Sequence, residues 1–268
     1  MGSLTNYGEN ALLGHLFASA YTPVATLYLA LCTADPTDAA TGASMNEVAN
    51  SGSYARTAIT LGAASSRRVT QSGGVTFPTA TGSWGTSTHW AIVDTNTYGS
   101  GNVLAYGAWG TGKSIVTGNT PSVASGEVYV EISAGYMLTA TANTALDFMF
   151  RNQAWSQPDT YVGLVTSTSS DSAAGTEVSG GSYARVLVNK ASGSSPAWAA
   201  VSGGATSNAN DIDFPTATGS WGTVVGMVIY DASTSGNAML YDNGVTDQAV
   251  ESADPVSFAT GDLDVSCS

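Results

Sequence analysis

Hydrophobic positions along the chain follow two kinds of spacing. Leu12, Leu13, Leu16, Phe17 and Ala20 recur at helical intervals, which puts them on one face of a short amphipathic helix. Asn6 followed by Glu9 has the form of a capping box at its start. Leu146, Met149 and Phe150 make a shorter stripe of the same kind in mid-chain. After each stripe the spacing changes. Segments 26–32, 54–61, 86–94, 102–108 and 127–132 are rich in Val, Ile, Tyr and Thr, with Gly, Asn and Ser turns between them, and read as strands. Segments 160–166, 183–189, 223–231, 237–242 and 262–267 read the same way.

The two series are copies of one another. Phe77–Thr86 (Phe-Pro-Thr-Ala-Thr-Gly-Ser-Trp-Gly-Thr) returns letter for letter as Phe214–Thr223. Gly-Ser-Tyr-Ala-Arg occurs at 52–56 and at 181–185, and Tyr28–Thr33 is echoed by Tyr161–Thr166. Asp94 maps onto Asp231, and Gly101-Asn102 onto Gly236-Asn237. Such self-similarity marks an internal duplication. The expected architecture is mainly β: two tandem small β-sandwich modules, residues 1–134 and 135–268, each preceded by a short amphipathic helix.

Composition narrows the function classes. The chain has 268 residues, with 20 acidic against 7 basic side chains and a net charge of -13. Nucleic acid as a partner is disfavoured, because neutralising phosphates takes a Lys/Arg surface. No apolar run approaches the ~20 residues of a membrane span, so no membrane partner is expected. Residues 11–20 have the apolar look of a signal segment, but no Lys or Arg precedes them and Glu9 does, so no export signal is expected. Two cysteines, Cys32 and Cys267, do not make a disulfide scaffold.

Candidate chemistry is sparse. Gly107–Ser114 matches the P-loop spelling, but Ile115-Val116-Thr117-Gly118-Asn119-Thr120-Pro121 follows where a phosphate-binding helix should begin, and the second half has no Lys there. That stretch is read as a hairpin turn, and no cofactor is expected. His15 and His89 have no counterparts in the other half and no partners at metal-ligand spacing. Asp211 and Asp213 share a strand face, too few oxygens for Ca²⁺. Asp94 and Asp231 sit one per half, which suits turn formation rather than a glycosidase pair. No catalytic and no metal residues are assigned. The residues expected to serve the fold are those present twice: Tyr54, Arg56, Phe77, Trp84 and Asp94, and their copies Tyr183, Arg185, Phe214, Trp221 and Asp231. Each Tyr and Arg share a strand face, so a structural salt bridge is expected in each half. Each Trp is expected to be buried rather than stacked on sugar.

The succession Tyr-Leu-Ala-Leu, Gly-Ser-Tyr-Ala-Arg, Phe-Pro-x-Ala-x-Gly-x-Trp-Gly-Thr, an Asp turn and Gly-Asn-x-Leu-x-Tyr, seen from Tyr28 to Tyr106 and again in looser form from Tyr161 to Tyr241, resembles small virion proteins of tailed bacteriophages. Members are labelled head-decoration, minor tail or tail-fibre proteins. The resemblance implies a structural, non-enzymatic protein without cofactor. It also implies a virion location and binding to the major capsid protein or other virion proteins, with homo-oligomers allowed. The acidic charge and the lack of heptads or a shaft repeat favour a capsid decoration (cement) protein that clamps neighbouring capsid subunits. A tail-fibre or baseplate protein involved in host recognition is the alternative.

Overall fold

A computed structural model of the chain describes residues 2–267. The first half runs β1 (Gly2–Leu4), α1 (Asn6–Phe17), β2 (Leu27–Cys32), β3 (Thr57–Ile59), β4 (Arg68–Thr70), β5 (Val75–Thr76), β6 (Gly85–Val93), β7 (Val103–Ile115), β8 (Ser122–Val123) and β9 (Tyr129–Glu131). The second runs α2 (Thr139–Arg151), β10 (Tyr161–Val165), β11 (Val186–Leu187), β12 (Ala205–Ser207), β13 (Ile212–Asp213), β14 (Gly222–Val224), β15 (Gly226–Tyr230), β16 (Ala238–Asp242), β17 (Gln248–Val250), β18 (Ser257–Phe258) and β19 (Asp264–Ser266). The protein is mainly β, and its layout repeats.

In the first half a sheet of order β3-β2-β6-β7-β1-β9-β4 carries the core, with the β5–β8 ribbon beside it. In the second half β11-β10-β15-β16 reproduces its centre. The pairs β12–β19, β13–β18 and β14–β17 repeat β4–β9, β5–β8 and the far end of β6–β7. Met137 bridges to Leu240 as Leu4 pairs with Ala105, so the segment before α2 matches β1. Alternation along the central strands drives this: Leu29, Leu31, Trp90 and Ile92 face one core.

Three expectations change at the level of local structure. The cap of α1 is Thr5 rather than Asn6. Asn6 spends its N–H on the Asp38 carbonyl, and the extended Thr5 accepts from Gly8 N through Oγ1 at 3.2 Å. Glu9 is thereby released from any capping box. Gly107–Ser114 is no turn: it lies inside β7, with Lys113 opposite Ser87 and Ser114 opposite Thr86. Its backbone is committed to the sheet, and Lys113 is bound to Glu127 at 2.9 Å, so the stretch cannot cradle a phosphate. The strands expected at 54–61 and 183–189 shrink to β3 and β11, because Tyr54, Arg56, Tyr183 and Arg185 turn into local polar knots instead.

The helices, whose packing partners the sequence leaves open, reach across the two halves. α1 packs on β7 and β1 of its own half and on β12 of the other, while α2 packs on β16 and on β4. The exchange is reciprocal, so α1 is buried on most of its circumference, with Leu12, Leu13, Leu16 and Phe17 all at 0% exposure. Phe17 lies 4.6 Å from the Trp198 ring, and His15 sits against Phe148 (4.3 Å) and Trp155 (5.0 Å). Burial and the nearby Lys190 hold the His15 imidazole below its usual pKa, a neutral ring in an apolar seam.

Candidate functional site

The repeated residues assemble into one polar knot per half. In the first, Arg56 Nε and Nη2 each donate to a Glu47 carboxylate oxygen at 2.8 Å. Its remaining N–H groups reach the Thr95, Ser100 and Gly42 carbonyls. Tyr54 Oη donates to Glu47 (2.8 Å) and accepts from Leu31 N (3.0 Å), tying the knot to β2. In the second half Arg185 donates to Glu177 at 2.7 Å through Nε and Nη2 and to the Ala232 and Ser235 carbonyls. Tyr183 Oη bridges Glu177 and Leu164 N in the same way. The guanidinium of Arg185 also stacks on the Tyr230 ring, 3.4 Å from its centroid. Planar, two-point pairing of this kind spends an arginine's donors on the fold.

The aromatic landmarks stand over each knot. Trp84 meets Tyr54 edge-on at 5.2 Å and donates from Nε1 to the Gly52 carbonyl. Trp221 meets Tyr183 edge-on at 5.3 Å and donates to Gly181. Gly52 and Gly181 take left-handed backbones (φ 58° and 52°), which presents those carbonyls without a side chain in the way. Phe77 and Phe214 lie parallel to Tyr54 and Tyr183. Both Trp rings are buried, unavailable for sugar stacking. Trp84→Ala and Trp221→Ala should each cost about 3–5 kcal/mol in denaturant unfolding. Asp94 and Asp231 each grip the N–H and the side-chain amide of an asparagine, Asn102 and Asn237, and so close matching turns. Glu47 and Glu177 were missed in the sequence, although an identical Glu-Val precedes Gly-Ser-Tyr-Ala-Arg in both halves.

The remaining candidates do not converge. His89 shares a hydrogen bond with Thr88, Asp211 holds Thr260, and the two cysteines are unpaired. Among the described residues no three His, Cys, Asp or Glu side chains cluster to hold a metal. Among the described residues no helix is long and apolar enough to cross a membrane.

A second polar arrangement lies where the helices cross between halves. Asn10 Oδ1 accepts from Gly204 N, and Asn143 Oδ1 accepts from Arg67 N, each at 2.9 Å. A cavity of about 460 Å³ opens between β1 and β16, with Glu9 and Cys267 in its lining. Burial, and secondarily the charge of Asp38, pushes the Glu9 carboxyl up to about 7. A carboxyl raised from 4.5 favours its neutral form in the folded state, so the stability it allows below pH 4.5 is lost as pH rises through about 7. Glu9→Gln should therefore leave the melting temperature unchanged at pH 4 and raise it at pH 8. The gain is bounded by about 3.5 kcal/mol, at roughly 1.4 kcal/mol per pKa unit.

Together these features define a duplicated, mainly β structural protein whose polar residues are largely invested in its own fold. The family described as podophage GP4 fiber I protein gp80 matches residues 3–131 and again residues 136–266. The chain belongs to that family and carries its unit twice in tandem, and it is a bacteriophage virion structural protein. No curated protein matches it.

Proposed function

We propose that the chain is a non-enzymatic fibre component of a podophage particle, a compact two-lobed element that binds other virion proteins. The family match across both halves carries this reading. The internal use of Arg56, Arg185, Asp94 and Asp231 supports it, since the side chains best suited to chemistry are occupied by the fold. Reciprocal helix packing makes a stiff joint, and stiffness is what a spacer or adaptor in a fibre needs. Duplication adds a second, similar binding face on one chain, so that a second contact forms at high effective concentration. The residues 1–134 and 135–268 are the two lobes of this reading.

Capsid decoration is the second reading, favoured by the net charge of -13 and the lack of a shaft repeat. Immunogold labelling and cryo-EM of intact particles separate the two. The fibre reading expects label on projecting fibres at low copy number. Label spread over the capsid faces would overturn it in favour of decoration.

A further inference from the structure

Arg67 and Gly204 hold the same place in the two halves. Both have left-handed backbones (φ 67° and 69°), both donate N–H to an asparagine of the other half's helix, and both lead into the strand that pairs with the last strand of their half. Arg67 fills its place. Its guanidinium donates to the carbonyls of Ile132 (3.0 Å), Ser133 and Met137. At Gly204 there is no side chain; Glu9 Oε2 takes up the space beside it, and a cavity lined by Glu9 and Cys267 opens beyond. Trp90 of the first half is replaced by Met227, each lying opposite the matching leucine of Leu31 and Leu164, which enlarges the space.

The cavity has the chemistry of the missing group's complement. A Cβ added at Gly204 would meet Glu9 Oε2 and the Cys267 carbonyl, so a carboxylate and a carbonyl converge there. Glu9 is only 5% exposed, and among the described residues its carboxylate has neither a hydrogen-bond nor an ion-pair partner, its oxygens keeping a narrow contact with solvent at the cavity. A largely desolvated acid without a partner is disfavoured in its charged form. Leu13, Met137, Ile229 and Val265 form apolar walls, and the lining contains no Lys or Arg.

We propose that this cavity receives a guanidinium group on an apolar stem, an arginine side chain presented by a neighbouring virion chain, with Glu9 as its counter-ion and the Cys267 carbonyl as a further acceptor. The apolar walls cover the stem as other proteins cover the methylenes of a buried arginine, and the carboxylate accepts charge-assisted hydrogen bonds from the head. The guanidinium chemistry stands apart from the fibre reading; only the donor's membership of the virion rests on it.

The test uses n-butylguanidinium and its neutral isostere n-butylurea, titrated into the full chain at pH 8 by calorimetry or ligand-observed NMR. The cation should bind roughly tenfold tighter than the urea or better, a difference of about 1.4 kcal/mol, and Glu9→Gln should abolish the preference. A second variant, Glu9→Ala with Gly204→Arg, reproduces the residues at the matching positions around Arg67, where Ala142 precedes Asn143 as Glu9 precedes Asn10, and should bind neither compound. Equal affinity for the two compounds, a preference that survives Glu9→Gln, or undiminished binding to the double variant would overturn the site. Those failures leave the fibre reading untouched, whereas label on capsid faces would remove the fibre reading and leave the titration intact.

Discussion

Residues 1–134 expressed without the rest of the chain will not form a stable folded monomer. In the whole protein α1 lies against β12, with Phe17 on Trp198 and Asn10 on Gly204. Lys190 Nζ donates to the Leu16 carbonyl at 2.6 Å and so closes the helix end, and Ala191 N donates to the Phe17 carbonyl. The isolated half loses all of these and exposes part of the Leu12, Leu16 and Phe17 stripe. Each large apolar side chain returned to water forfeits about 1.5–3 kcal/mol. The same cut strips α2 from β4, leaving Ala64 N and Arg67 N without their Asp147 and Asn143 acceptors and Arg67 without the Met137 carbonyl. A domain's whole stability is only about 5–15 kcal/mol, so losses of this size decide whether it folds. Co-expressed 1–134 and 135–268 should instead recover each other as a one-to-one complex with a single cooperative melt. Size-exclusion chromatography and amide NMR check this. A monomeric 1–134 with dispersed resonances and a cooperative transition would contradict it.

This exchange was the part of the fold that a reading of residues could not reach. The stripe through Leu12 and Phe17 says that a helix face is buried, yet both halves carry a helix and a sheet of the same type. Packing at home and packing across the seam therefore demand the same pattern. The duplication itself was plain in the paired Phe-Pro to Gly-Thr segments, and the central strands β2, β6, β10 and β15 fell close to their expected bounds. Shorter strands such as β5, β8, β13 and β18 have two residues each, too few to show alternation. The P-loop spelling misled toward a turn because its glycines and threonine carry turn propensity, while cross-strand pairing to β6 overrides it. Glu9 fits a capping box by spacing alone. Only the Thr5 cap and the hydrogen bond from Asn6 to Asp38 free it to line the cavity.

Arg56→Ala should be among the most damaging single substitutions in the chain, and clearly worse than Arg185→Ala. The Arg56 side chain is fully buried and its partner Glu47 is 4% exposed, so truncation strands a carboxylate in the core. It also strands the carbonyls of Gly42, Thr95 and Ser100, which otherwise share the guanidinium. Removing one member of a buried pair typically costs about 3–5 kcal/mol, because the remaining charge is uncompensated. Glu177 is 27% exposed, so water can solvate it when Arg185 is lost, and the penalty there should be smaller, about 1–3 kcal/mol. Part of that remainder comes from the Tyr230 ring, which loses the cation above it. The double substitution Glu47→Gln with Arg56→Met separates the stranded charge from lost packing: it should recover a substantial part of the Arg56→Ala loss, since no unpaired ion remains. Urea unfolding followed by tryptophan fluorescence reads all three, with Trp84 beside Tyr54 as a local reporter. Equal losses for Arg56→Ala and Arg185→Ala, or a double variant no better than Arg56→Ala, would show that burial of the pair does not set its weight in the fold.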